Sequence, residues 1–161
     1  RYDFPDGDGE ALLERMIDVQ QRLGGSVIAL MEVPEEAVSA YGVAAVEAVP
    51  GEGDDVVRVT DLVEKPARED APSTLAIIGR YVLMPEVMAH LSRMERGAGG
   101  EVQLTDGMAS LIGKQPFHGL RYEGRRFDCG DKAGFLEAQI AFALKRPDMA
   151  PAVREFLKRY A

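Results

Sequence analysis

Leu62-Val63-Glu64-Lys65-Pro66 is the stretch on which the reading of the chain turns. It places an acid and a base side by side where an alternating apolar run, Val56 to Val63, meets the proline that stops it. Read as a strand, that run delivers Glu64 and Lys65 to its carboxyl end, where ligands of open α/β sheets usually bind. A carboxylate accepts hydrogen bonds from hydroxyls and an ammonium faces a phosphate, so the pair has the chemistry that a sugar phosphate needs. By itself the pair more often describes a solvated strand end than a site.

Working outward, the period of apolar residues alternates between helix and strand. Residues 1–9 form an acidic, turn-rich lead, and Glu10 to Leu23 follows with a helical period stopped by Gly24-Gly25. Ser26 to Val33 is nearly all apolar, as in a strand covered on both faces. Pro34 to Val38 predicts at most one helical turn. Val43 to Val49 and Val56 to Val63 predict an antiparallel hairpin around the turn Pro50-Gly51-Glu52-Gly53-Asp54-Asp55.

Farther along, Ala76 to Leu83 reads as a strand, Pro85 to Met94 as a helix opened by its proline, Leu104 to Ile112 as a helix and Phe117 to Glu123 as a strand. Asp131 to Lys145, capped by Asp131, and Asp148 to Tyr160 close the chain as helices. The fold class expected is therefore α/β, a partial Rossmann-like mixed sheet flanked by helices. Residues 1–161 count as one portion of a single domain, with carboxyl-terminal helices from about 131.

Composition narrows the function classes. A length of 161 residues suits one domain or a large piece of one, and a net charge of -8 disfavours general binding to nucleic acid or a membrane surface. The single cysteine, Cys129, excludes an intrachain disulfide and fits a reducing cytoplasm, with a packing role expected for its side chain. No stretch is long and apolar enough for a membrane span, and no signal-peptide pattern opens the sequence, so the expected setting is cytoplasmic. His90 and His118 lack metal-ligand spacing and are expected in packing or surface roles.

Three later segments add to the Glu-Lys-Pro pair: Ile78-Gly79-Arg80-Tyr81-Val82-Leu83, Gly99-Gly100-Glu101-Val102-Gln103-Leu104-Thr105-Asp106, and Gly124-Arg125-Arg126-Phe127-Asp128-Cys129-Gly130-Asp131-Lys132. In this order and spacing they resemble the carboxyl-terminal half of the bacterial UTP–glucose-1-phosphate uridylyltransferases, from about Leu12 to Leu144. Glu-Lys-Pro is shared by many sugar nucleotidyltransferases, whereas Gly-Glu-Val-Gln-Leu-Thr-Asp is the more specific mark of the uridylyl branch.

The resemblance implies roles residue by residue. Glu64 matches the residue that takes the glucose hydroxyls, Lys65 the one that pairs with the sugar's phosphate and serves catalysis, and Gly42 a glycine whose backbone approaches the sugar. Gly79, in mid-strand, is a further substrate-binding position, since strand glycines often mark close approach. Arg80, on the same strand, is expected in a core salt bridge. Asp128 matches a metal-binding Asp, with a helix cap or turn brace as the alternative. Counting back without gaps places Asp3 opposite the partner metal Asp, although Arg1-Tyr2-Asp3-Phe4-Pro5 departs from the family pattern there. Glu101, Gln103 and Asp106 are read as shaping the loop and helix start beside the sugar pocket, with Thr105 or Asp106 as cap.

Implied with these are Mg²⁺ as cofactor and UTP with glucose 1-phosphate as substrates. The glycine-rich loop that wraps a triphosphate in this family has no match here, because Gly24-Gly25 and Gly97 to Gly100 each follow a helix. The chain thus reads as the sugar side of such an enzyme, inactive alone. A thymidylyl or other sugar-1-phosphate nucleotidyltransferase and a catalytically silent sugar-binding or interaction domain are the alternatives. The amphipathic final helix suits a subunit interface as well as a core, leaving a homo-oligomer open.

Overall fold

A computed structural model describes residues 2–3, 12–94 and 102–160 of the chain. The elements in order are β1 (Tyr2–Asp3), α1 (Leu12–Leu23), β2 (Ser26–Glu32), β3 (Gly42–Ala48), β4 (Val56–Glu64), β5 (Leu75–Val82), α2 (Pro85–Leu91), α3 (Leu104–Ala109), β6 (Phe117–Arg121), β7 (Arg125–Arg126), α4 (Lys132–Leu144) and α5 (Ala150–Leu157). They fall into two compact units, residues 8–122 and residues 1–7 with 123–161. Glu101 and the Gly97 to Gly100 break lie outside the described residues, as does most of the acidic lead.

In the larger unit five strands pair in the order β2-β5-β3-β4-β6, and β6 returns to pair with β2. Only that last pairing is parallel; the other four are antiparallel. The mixed, helix-flanked sheet is the α/β arrangement expected, but its hydrogen bonding closes into a ring. No residue pattern in the sequence announces that closure, because it depends on pairing β2 with a strand some 90 residues away.

The β3–β4 hairpin forms as its turn chemistry predicts, with Gly42 opposite Glu64 and Ala48 opposite Val57. Arg22 pairs with Asp18 at 2.8 Å and with Glu52, and Arg15 with Asp55 at 2.7 Å, so α1 holds the hairpin turn by exposed ion pairs of small individual worth. Besides a cluster of Val33, Val38, Val43 and Ala76, the apolar content of this unit forms a core on the helix side of the sheet. Ile28 and Leu30 of β2, Val59 and Leu62 of β4, and Phe117 of β6 bury against Val87 of α2 and Met108 of α3. Fully burying each such side chain contributes about 1.5–3 kcal/mol. α1 presents Leu12, Met16 and Val19 inward, leaving Leu13 and Ile17 partly exposed.

The stop after α1 uses both glycines in the left-handed region, Gly24 at φ 71° and Gly25 at φ 73°. A side chain on Gly25 would also meet the Pro116 carbonyl oxygen at 2.2 Å. Gly25→Ala is therefore expected to destabilise the unit by about 2 kcal/mol or more, read as a lower urea midpoint at unchanged slope.

In the smaller unit β1 and β7 pair antiparallel, with Tyr2 opposite Arg126 and Asp3 opposite Arg125. Asp131 caps α4 as expected, its carboxylate accepting from the Gly134 N–H at 2.8 Å. Phe127 is buried and its ring meets Phe142 at 5.8 Å between centroids. The last helix, expected to run to Tyr160, ends at Leu157, and Tyr160 beyond it is 87% exposed. Among the described residues no helix is long and apolar enough to cross a membrane.

Candidate functional site

The site grows from the register of the β3–β4 hairpin. Because the two strands pair to their ends, Gly42 and Glu64 are direct neighbours across the ladder. A Cβ on Gly42 would stand 3.0 Å from Glu64 Oε2, 3.0 Å from Ile77 Cδ1 and 3.2 Å from Thr105 Oγ1. The bare Cα of Gly42 thus lets a carboxylate, a hydroxyl and a methyl group approach the main chain closely. Glu64 is half-buried and Thr105 nearly fully buried. Among the described residues, neither side chain has a hydrogen-bond or ion-pair partner.

Lys65 follows directly and turns the chain. Its φ is 46°, the one left-handed non-glycine residue among those described, and its N–H donates to the Tyr41 carbonyl at 3.0 Å. Such a backbone costs of order 1 kcal/mol or more and persists only where the surroundings enforce it; strained residues of this kind cluster at functional sites. The Pro66 ring is buried while the Lys65 side chain is exposed. The ammonium therefore projects into solvent from a fixed main chain next to the half-buried acid. Nothing in the sequence marked this strain, since lysine is not a residue that signals positive φ.

Other positions differ from expectation. Gly79 has φ 75° and sits where β5 carries two extra residues, between the pairs Leu30–Ile77 and Ile28–Tyr81. Glycine is needed there for the bulge, and the space above its Cα is open to 4 Å. Arg80, expected to be buried on this strand, is exposed and donates to the Gly79 carbonyl at 2.9 Å, because the bulge turns that part of β5 outward. α3 begins after Gln103 with no side-chain cap, so neither Thr105 nor Asp106 caps it. Asp106 is exposed instead, and Thr105 faces Gly42. His90 hydrogen-bonds Ser110 at 2.5 Å. His118 is buried with its Nδ1 unpaired, and burial pushes its pKa below the usual imidazole range.

In the smaller unit Asp128 braces its own turn, Oδ1 accepting from the Gly130 N–H at 2.9 Å, while Oδ2 lies 3.6 Å from Arg126 Nη2. Its side chain is 61% exposed and retains lone pairs for a cation. Asp131, not Asp128, caps the following helix; Gly134 admits the Asp128 carbonyl, which a Cβ there would meet at 2.3 Å. The register sets Asp3 against Arg125. Cys129, expected to pack, is exposed.

Among the described residues no three acidic, His or Cys side chains gather as a metal cage.

Residues 7–145 match the family model described as nucleotidyl transferase. The chain belongs to the nucleotidyl transferase family. Among its relatives, this nucleotidyl transferase is 52% identical over 123 residues to the UTP–glucose-1-phosphate uridylyltransferase of Komagataeibacter xylinus, covering 76% of the chain and 42% of that protein. It is 44% identical over 156 residues to the enzyme of the same name from Streptococcus pneumoniae, covering 96% and 51%.

The fold of this nucleotidyl transferase superposes on a UTP-bound UDP-glucose pyrophosphorylase from Acinetobacter baumannii with a TM-score of 0.81 at 33% identity, over 97% of the chain and 52% of that structure. On a UDP-glucose pyrophosphorylase complexed with UDP-glucose the TM-score is 0.77 at 37% identity, over 86% and 52%. The chain spans about half the length of the curated relatives it matches.

Proposed function

We propose that this chain is the sugar-phosphate side of an enzyme that forms UDP-glucose and pyrophosphate from UTP and glucose 1-phosphate. In that reaction a phosphate oxygen of the sugar phosphate attacks the α-phosphorus of UTP, and the bond to the departing pyrophosphate breaks as the new one forms. Catalysis of such a displacement rests mainly on positioning and on neutralising charge. The observation that carries the proposal is the hairpin end itself: a half-buried carboxylate packed against the bare Cα of Gly42, followed by an ammonium on a strained, pinned main chain. The names of the relatives at 44% and 52% identity support uridylyl transfer to glucose 1-phosphate in particular.

In this reading Glu64 accepts hydrogen bonds from the glucose hydroxyls, and the Gly42 and Gly79 main chains line the approach. Lys65 pairs with the phosphate as a point charge. Asp128 would hold the divalent cation, Mg²⁺, which when bound neutralises charge on the phosphates. Asp3 is set against Arg125 by its pairing and is a weaker candidate for the same ion. A cytoplasmic setting fits the single cysteine and the charged small substrates.

The test is pyrophosphate release with UTP or dTTP and glucose 1-phosphate, from a complete enzyme carrying this chain and from residues 1–161 alone. Turnover with UTP by the complete enzyme only is expected. A preference for dTTP would favour the thymidylyl alternative, and no turnover in either form would favour a silent sugar-binding domain. Within the same enzyme, Gly42→Ala places a methyl group against the Glu64 carboxylate and is expected to raise the KM for glucose 1-phosphate several-fold at unchanged KM for UTP. Substrate-varied kinetics read this directly.

A further inference from the structure

A cleft of about 590 Å³ opens at the other half of β4, walled by Glu47, Arg58, Lys114, Gln115 and His118 among others. We propose that it is a second anion site, separate from the Glu64–Lys65 end of the hairpin, which takes a small molecule through its phosphate group.

Strand register builds the wall. Arg58 stands near the start of β4, whereas Glu64 ends it. Across the ladders Arg58 is opposite Glu47 on β3 and His118 on β6, so the three share one face of the sheet. Lys114 and Gln115 come from the turn that leads into β6. Arg58 and Lys114 are exposed, and among the described residues neither side chain has a hydrogen-bond or ion-pair partner. Arg15, Arg22, Arg68 and Arg146 each meet a carboxylate, so two unpaired cations on one cleft are not the rule in this acidic chain.

Two further polar atoms of the wall lack partners. Gln115 Nε2 and His118 Nδ1 are buried with no hydrogen bond among the described residues, a state that buried polar groups rarely keep unless a ligand or water completes them. His118 is 7% exposed, and burial, reinforced by the Arg58 cation, holds its imidazole neutral. The charge of an anion therefore falls to Arg58 and Lys114. Gln115 is only half-buried, and a turn of its terminal amide presents Nε2 to the cleft as a neutral donor.

A phosphate group carries about two charges and three acceptor oxygens, which two cations and an amide donor match. A lone carboxylate would be satisfied by the Arg58 fork alone. The cleft is larger than a phosphate group fills, so the ligand carries further atoms. Glu47 faces Arg58 from β3 and opposes any anion bound there, which fixes the sign of one test.

That test is calorimetric titration of inorganic phosphate into the complete enzyme carrying Lys65→Ala, so that the hairpin-end ammonium takes no part, with ionic strength held by chloride. Saturable binding is expected. On that background Arg58→Ala should weaken binding about tenfold or more and Arg58→Lys less, while Glu47→Gln, which removes like charge, should tighten it about two- to fivefold. Melting temperatures without phosphate should agree among these proteins, since both side chains are exposed. Absence of saturable binding, or an affinity indifferent to Arg58→Ala and Glu47→Gln alike, overturns the inference.

Discussion

Lys65→Ala in the complete enzyme is expected to raise the KM for glucose 1-phosphate by about ten- to 150-fold, corresponding to the roughly 1.5–3 kcal/mol of a charge-assisted hydrogen bond. The KM for UTP should change little. The expectation comes from the way the ammonium is presented. Lys65 is held at φ 46° by its N–H bond to Tyr41 and by the hairpin that ends at Glu64. A surface lysine with no such fixation costs almost nothing to remove. Because Ala at this φ is as strained as Lys, stability should stay near that of the unmodified protein, so a kinetic change cannot be put down to unfolding. Varying each substrate in turn decides the matter, and an unaltered dependence on glucose 1-phosphate would leave Lys65 as a surface charge.

Asp128→Asn is expected to lower turnover by roughly two orders of magnitude and to raise the Mg²⁺ concentration needed, while the melting temperature barely moves. The geometry makes these outcomes separable. The structural work of Asp128 is the acceptor bond from the Gly130 N–H, which an asparagine oxygen makes equally well. Its pairing with Arg126, at 3.6 Å and largely exposed, contributes little. Only the charge offered to a cation is lost. Asp128→Ala, by contrast, removes the turn brace and should cost about 1 kcal/mol of stability as well as activity. Normal turnover of Asp128→Asn at ordinary Mg²⁺ would assign the residue to the turn alone.

Much of the candidate site was legible because its signals are local. Val56 to Val63 alternates as a strand, Pro66 stops it, and the Pro50 to Asp55 turn forces the antiparallel partner that brings Gly42 opposite Glu64. Asp131 announces the start of α4 three residues ahead of the N–H it caps. Thr105 was misread for the complementary reason. A threonine at a helix start is a cap by propensity, and only the packing of α3 on β4 turns it toward Gly42 instead. Arg80 was misread because strand membership was taken to mean burial, and the bulge at Gly79 intervened.

The sequence by itself determined the elements, the hairpin register and the identity of the charged pair, since each depends on periodicity, turn residues or stops within a few positions. The tertiary structure alone decided the ring closure through β2 and β6, the left-handed turn at Lys65, the bulge at Gly79 and the approach of Thr105 to Gly42. Those features rest on contacts between residues up to about 90 positions apart. The free energy of such contacts belongs to pairs of distant segments, and no local propensity encodes it.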